Sequence, residues 1–170
     1  MTVQSEFLRF SAEKLEQLCA RIEDCLGRLS YEQIWTRAST ADNAVGNLVL
    51  HLCGNVIQWI GSGVASRPDL RRRDAEFAAR GDVQPAELAS RIRAVVSDAA
   101  SVIRSLDPAR LTERILPQNY DVTVLEAIYH VVEHFSMHTG QILFATKLLT
   151  GQDLGYYKYL SAASHGEKLP

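Results

Sequence analysis

Three of the chain's five histidines, His130, His134 and His138, follow one another at intervals of four, with Gln141 three residues further on. At about 100° per residue, a step of four turns a helix by only about 40°, so these side chains form one stripe. Asn47, His51, Asn55 and Gln58 repeat the same offsets earlier in the chain, one step after Asn43. If both stripes face inward they meet, and imidazoles brought together in an interior have two uses. They can serve as hydrogen-bonded core groups, the commoner fate of a histidine on an apolar helix. Alternatively, a pair at i and i+4, such as His134 and His138, can reach one divalent ion at about 2.0–2.1 Å. Val131, Phe135, Ile142 and Leu143 mark this helix as mostly buried. Several unpartnered imidazoles there would be costly unless something satisfied their ring nitrogens.

The neighbouring polar residues carry paired readings of their own. His130, one turn before the pair, either contacts a ligand and lines a pocket or fills the core. Asn47, Asn55 and Gln58 either orient metal ligands or pair with each other. Glu133 points about 100° away from His134 and reads as a helix-surface residue, or as a carboxylate base beside a site. Arg71, Arg72 and Arg73 could greet an anionic substrate; a solvated run, ion-paired with Asp74 and Glu76, is the alternative. His165 lies in a Gly- and Lys-containing tail and reads as solvated.

These groups need elements to position them, and the only regular signals are helical. Leu8, Leu15, Leu18, Ile22, Leu26 and Leu29 keep heptad-like spacing and predict a helix over about 4–29. From Asn43 to Ser66 there is no Asp, Glu, Lys or Arg. That length would reach across a bilayer, but its polar stripe would then face lipid, so a buried helix is the better reading. Residues 67–84 form a long charged connection with at most a short helical turn. Pro85 suits the first turn of a third helix, ended by Asp107-Pro108; Thr123 and Glu126 form a capping box for a fourth, running to about Leu149 with Gly151 beyond. No run of strand residues is long enough to matter, and no repeat is present. The reading is an all-α four-helix bundle occupying residues 1–170 as one domain, with a site between facing helices and with Tyr156, Tyr157 and Tyr159 packing the tail on the bundle or on a second subunit.

Composition narrows the partners. A formal charge of -2 with a pI near 6.2 lacks the basic excess that phosphate-backbone binding needs, which argues against nucleic acid. Cys19, Cys25 and Cys53 are odd in number and without CxxC spacing, fitting free thiols in a reducing, cytoplasmic setting. The first ten residues have no signal-peptide pattern.

The string EAIYHVVEHFSMHTGQILFATKLLTGQDLGYY, with HLCGNVIQW on the earlier helix, resembles the DinB/YfiT-like superfamily of metal-dependent enzymes, in particular an uncharacterised bacterial branch with an RDAEF-type connection. The likeness spans nearly the whole chain. It implies a four-helix bundle of up-down-down-up topology, to which the two long connections, Arg67–Gln84 and Asp107–Asp121, correspond. It also implies a divalent metal, zinc or nickel before iron, cobalt or manganese, bound by His51, His134 and His138. Three neutral imidazoles leave a coordination position open, the mark of a catalytic rather than a closed site. Characterised relatives include transferases of low-molecular-weight thiols, so the resemblance implies a small-molecule substrate, thiol S-transfer and a homodimer. A metal-dependent hydrolase and a non-catalytic metal or small-molecule binder are the alternatives.

Overall fold

The computed structural model describes residues 2–81 and 83–158; Tyr159 and His165 lie outside them. The fold is helical. Helix α1 (Val3–Arg28) is capped by Thr2, whose side chain accepts from the Ser5 amide, and buries Leu8, Leu15, Leu18, Ile22 and Leu26 along one stripe. A short α2 (Tyr31–Trp35) follows, closed by a reciprocal Ser30/Gln33 capping box. Helix α3 (Val45–Val56) runs on as a π-helical segment over Ile57–Val64, where the Ala65 amide reaches back to the Ile60 carbonyl. The uncharged stretch is therefore one long helical rod whose second half is wound more loosely.

In the 67–84 connection, α4 (Arg73–Ala78) supplies the short helical turn. Helix α5 (Pro85–Ser105) opens with its proline in the first turn. Between it and the last helix, 3-10 turns over Pro108–Thr112 and Pro117–Asn119 flank a two-residue antiparallel pair, β1 (Arg114–Ile115) with β2 (Val122–Thr123), in register Arg114↔Thr123 and Ile115↔Val122. A pairing this short leaves no periodic trace in a sequence. Helix α6 (Val124–Thr150) has the expected Thr123/Glu126 capping box and ends on Gly151 at φ 67°, the left-handed conformation that glycine adopts without strain.

The core lies between four long helical segments: α1 packs on α5 and α6, and α3 with its π-helical extension packs on the same two. Phe135, Ile128 and Ile142 of α6 are fully buried. Thr139 and Thr146, polar yet buried, return their hydroxyls to the Phe135 and Ile142 carbonyls at 2.7 and 2.8 Å. Cys19, Cys25 and Cys53 are free and buried as small hydrophobes. Beyond α6, Tyr156 packs against α1, its hydroxyl on the Asp24 carboxylate at 2.5 Å, and Arg21 reaches the Tyr157 hydroxyl at 3.4 Å. Among the described residues no helix is long and apolar enough to cross a membrane.

Candidate functional site

Where α3 faces α6, His51, His134 and His138 come together. His134 is central: its Nε2 lies 3.1 Å from Nε2 of His51 and 3.2 Å from Nε2 of His138. Two nitrogens each about 2.1 Å from a shared ion and about 90–110° apart are about 3.0–3.4 Å from one another, so the spacing suits a common divalent cation.

The outer ring nitrogens fix the tautomers. His51 Nδ1 lies 3.0 Å from Glu76 Oε2, an acceptor, and 3.1 Å from Arg71 Nη2, a donor that the same carboxylate takes at 2.9 Å; with the guanidinium engaged there, Nδ1 gives its proton to Glu76 and Nε2 presents its lone pair inward. His138 Nδ1 likewise meets Gln141 Oε1 at 2.6 Å. Two lone pairs therefore converge on His134 Nε2, which can carry one proton at most and satisfy one of them. A cation at their meeting point resolves what a proton cannot. The residues fit a metal on this ground. His134 Nδ1, by contrast, is buried with no partner among the described protein atoms.

Glu76, read from the sequence only as an ion-pair partner of the arginine run, does pair with Arg71, but its contact with His51 is what sequence reasoning missed. The residue comes from α4 in the charged connection, and its carboxylate is held by Arg71 through Nε–Oε1 at 2.8 Å and Nη2–Oε2 at 2.9 Å. The Arg71 side chain is 3% exposed and that of Glu76 10%. This corrects the expectation of a solvated run over Arg71–Arg73: Arg71 turns inward and only Arg72 and Arg73 are exposed, Arg73 lying over the Phe77 ring, which packs on His51. Burial alone would raise the Glu76 carboxyl, but hydrogen bonds from Arg71 and His51, with their charges, carry it below the ordinary value. Gly54, one turn beyond His51, makes the space. A Cβ there would fall onto Glu76 Oε1 and 2.9 Å from Arg71 Nε.

The polar stripe of α3 divides. Asn47 does not touch a histidine; its amide donates to the Glu76 and Ala79 carbonyls at 2.9 and 3.1 Å and so pins the segment that carries Glu76. Gln58 donates to Asp69 at 2.7 Å and accepts from Arg71 at 2.8 Å, steadying the same segment from the other side. The buried Asn55 Oδ1 has no partner among the described residues. On α6, His130 stacks on Trp59 with ring centroids 4.1 Å apart and stands 5.5 Å from the His134 ring, while Glu133 is exposed on the outer side. The one sequence signal for Glu76 was its position in a connection too long to be a simple turn.

Two grooves approach the cluster. One, of about 480 Å³, is lined by Arg37, Leu48, Gln141, Phe144 and Leu148, and ends at the glutamine that holds His138. Another, of about 650 Å³, lies behind the Arg71–Glu76 pair between Leu50, Gly54, Ile57, Leu70 and Val95, and none of the three histidines lines it. No histidine lines the first groove either: it meets the cluster through Gln141, which touches His138, and the second meets it through Arg71 and Glu76, which touch His51.

Burial, and after it the neighbouring imidazoles and Arg71, lowers the His134 pKa from 6.5 to about 3; burial lowers those of His138 and His130 as well. A depressed folded-state value means that the unfolded chain takes up the proton first. The stability contributed by the neutral ring is therefore complete above about pH 6.5 and is lost as pH falls toward 3. Metal-free protein is expected to lose several degrees in Tm between pH 7 and pH 5, and His134→Gln to lose less over that interval, as thermal unfolding across a pH series would record.

A family model described as a protein of unknown function (DUF1572) matches residues 2–165. No curated protein matches the chain. Among solved structures, the crystal structure of a conserved protein of locus from Enterococcus faecalis is similar, with a TM-score of 0.74 at 18% identity, covering 89% of this chain and 99% of that one. At that identity the likeness concerns the fold alone.

Proposed function

The chain belongs to the DUF1572 family of proteins of unknown function, and we propose that it is a metal-dependent enzyme of the DinB/YfiT-like kind, transferring a low-molecular-weight thiol to a small electrophile. One observation carries the reading: the Nε2 atoms of His51 and His138 lie 3.1 and 3.2 Å from Nε2 of His134, with lone pairs directed inward by outer partners. His51, His134 and His138 would hold the ion, zinc or nickel before iron, cobalt or manganese. When bound, a divalent cation at such a site supplies a Lewis-acidic centre that lowers the pKa of a thiol or water.

The chain's own groups do the rest. Glu76 holds the proton of His51 on Nδ1, Gln141 does the same for His138, and Arg71 keeps Glu76 charged and still. Three protein ligands leave room for an exchangeable group, which favours a reactive centre over a sealed structural one. The three cysteines are buried, and although Cys53 lines the larger groove behind the Arg71–Glu76 pair, none lines the groove ending at Gln141, so we assign the reacting sulfur to a cosubstrate entering there. The thiol proton departs to solvent, the sulfur lone pair forms the new carbon–sulfur bond, and the electrophile's carbon–leaving-group bond breaks, the leaving group carrying its electron pair into solvent. The packing of α1 and α3 against α5 and α6 supports a four-helix bundle, which we read as up-down-down-up, and three free thiols support a cytoplasmic setting.

The test is a panel of small thiols offered with one reactive electrophile to metal-loaded and metal-free protein. Conjugation that requires metal and falls in His51→Ala supports S-transfer. Metal-dependent loss of the electrophile without thiol would replace that reading with hydrolysis, and no turnover with any partner would leave a binder.

A further inference from the structure

Two large apolar side chains stand exposed where their surroundings do not call for it. Leu70, set among Asp69, Arg71 and Arg72 in the charged connection, is 84% exposed, and Ile57, in an uncharged helical stretch that is mostly buried, is 48% exposed. They belong to different walls of one groove, the one of about 650 Å³ behind the Arg71–Glu76 pair. Helix α3 and the head of its π-helical extension supply Cys53 and Ile57, α5 supplies Ala94 and Val95, and the connection supplies Leu70. A mostly apolar groove between three elements, with this volume, falls in the range of about 300–1,000 Å³ usual for small-molecule sites. The π winding that begins at Ile57 is a frequent accompaniment of such sites.

The charges around the groove decide what kind of molecule suits it. Arg71 is neutralised by Glu76, and Arg91 pairs with Glu87 one turn away on α5. Arg72 also lines the groove; its side chain is exposed and has no ion-pair partner among the described residues. One uncompensated guanidinium therefore stands beside an apolar trough, and the complementary ligand carries one negative charge at the end of an apolar body. A guanidinium presents parallel N–H donors that match the two oxygens of a carboxylate. A dianionic phosphate suits the place less well, because it brings a second negative charge toward the Glu76 carboxylate, which lines the same groove.

We propose that this groove binds a medium-chain aliphatic monocarboxylate, its head group on Arg72 and its chain along Ile57, Leu70 and Val95. Covering the exposed Leu70 and Ile57 drives the binding, and each ligand methylene taken from water adds up to about fourfold in affinity. A bilayer or a flat protein face would cover Leu70 at the rim but would not reach Cys53, which is buried, so a small molecule is the better occupant. Arg71 and Glu76 stand between the groove and His51, and none of the three clustered histidines lines it. The proposal therefore stands whether or not those histidines hold a metal.

The test is isothermal titration calorimetry of the full, metal-stripped chain with hexanoate, octanoate and decanoate, and with 1-octanol and octylamine as neutral and cationic counterparts. The expected result is one site per chain, with affinity rising up to about 16-fold for each pair of methylenes added and octanoate about fivefold tighter than 1-octanol. Octylamine should not bind. Arg72→Gln should bring octanoate to the level of 1-octanol and leave the alcohol unchanged. Ala94→Phe adds a ring at an exposed helix position that lines the groove, and should abolish binding of both with unchanged circular dichroism. His134→Ala should bind octanoate as the wild-type chain does. No carboxylate binding at ~10 mM, 1-octanol as tight as octanoate, or wild-type octanoate affinity in either Arg72→Gln or Ala94→Phe would overturn the proposal. Binding that appears only with metal present would put the carboxylate on the imidazoles and overturn it as well.

Discussion

Purified His134→Ala is expected to carry no metal, where the wild-type chain carries one ion. His134 supplies the nitrogen that lies within 3.2 Å of both its companions, so its loss removes the centre of the site and not an edge. Four-ligand zinc sites bind with about 10–16 kcal/mol, or about 3 kcal/mol or more per ligand, so one lost imidazole lowers affinity by at least about a hundredfold. Elemental analysis and competition against a chromophoric chelator measure both quantities. The metal-free fold should survive the change, because the ring contributes an Nε2 that faces two other imidazole nitrogens and a buried unpartnered Nδ1 more than it contributes packing. A variant that keeps its metal would remove His134 from the ligand set.

The second large effect is expected at Glu76. Glu76→Ala takes the acceptor from His51 Nδ1 and leaves the Arg71 guanidinium, 3% exposed, without its carboxylate. Removing one member of a buried pair costs about 3–5 kcal/mol of stability, and losing an outer partner of a ligating histidine costs about 10–100-fold in metal affinity. Glu76→Gln keeps an acceptor for Nδ1 and should fall between. Gly54→Ala is the sharper variant, since it adds a single methyl and no polar atom. The added Cβ would occupy the space of Glu76 Oε1, so metal affinity should drop in the same direction as in Glu76→Ala, whereas Gly27→Ala, with nothing within 4 Å, should be neutral or stabilising. Chemical denaturation and metal titration of the four variants separate the two quantities. Wild-type metal affinity in both Glu76→Ala and Gly54→Ala would show that the carboxylate does not orient His51.

What the sequence made legible follows from periodicity. His134 and His138 sit one turn apart on a long amphipathic helix, and His51 sits on an uncharged one, so their spacing alone assigned them to stripes that the fold brings face to face. The capping boxes and Gly151 mark helix ends because their chemistry is local. The pairing of Arg71 with Glu76 was among the alternatives, but the burial of both against His51 was illegible for the opposite reason. They lie in a connection without period, where a charged residue is solvated by default, and long-range contacts turn that segment inward: the Asn47 amide, reaching 29 residues ahead to the Glu76 carbonyl, and Gln58 on the other side. Asn47 and Gln58 were placed on the right face but given the wrong object: they hold the connection and not the imidazoles. The π-helical winding over Ile57–Val64 also left no trace, since over eight residues a slightly longer period cannot be told from 3.6. Helix α2 was not read from the sequence, because five residues behind a Ser30/Gln33 capping box are too few to show an apolar stripe.

The central claim is that three imidazoles share one cation, and anomalous diffraction from crystals grown with zinc or nickel tests it most directly. The account predicts a single strong peak per chain, bonded to Nε2 of His51, His134 and His138, with at least one further position held by solvent. A peak that leaves out any of the three rings, or no peak among them at full metal loading, would contradict it.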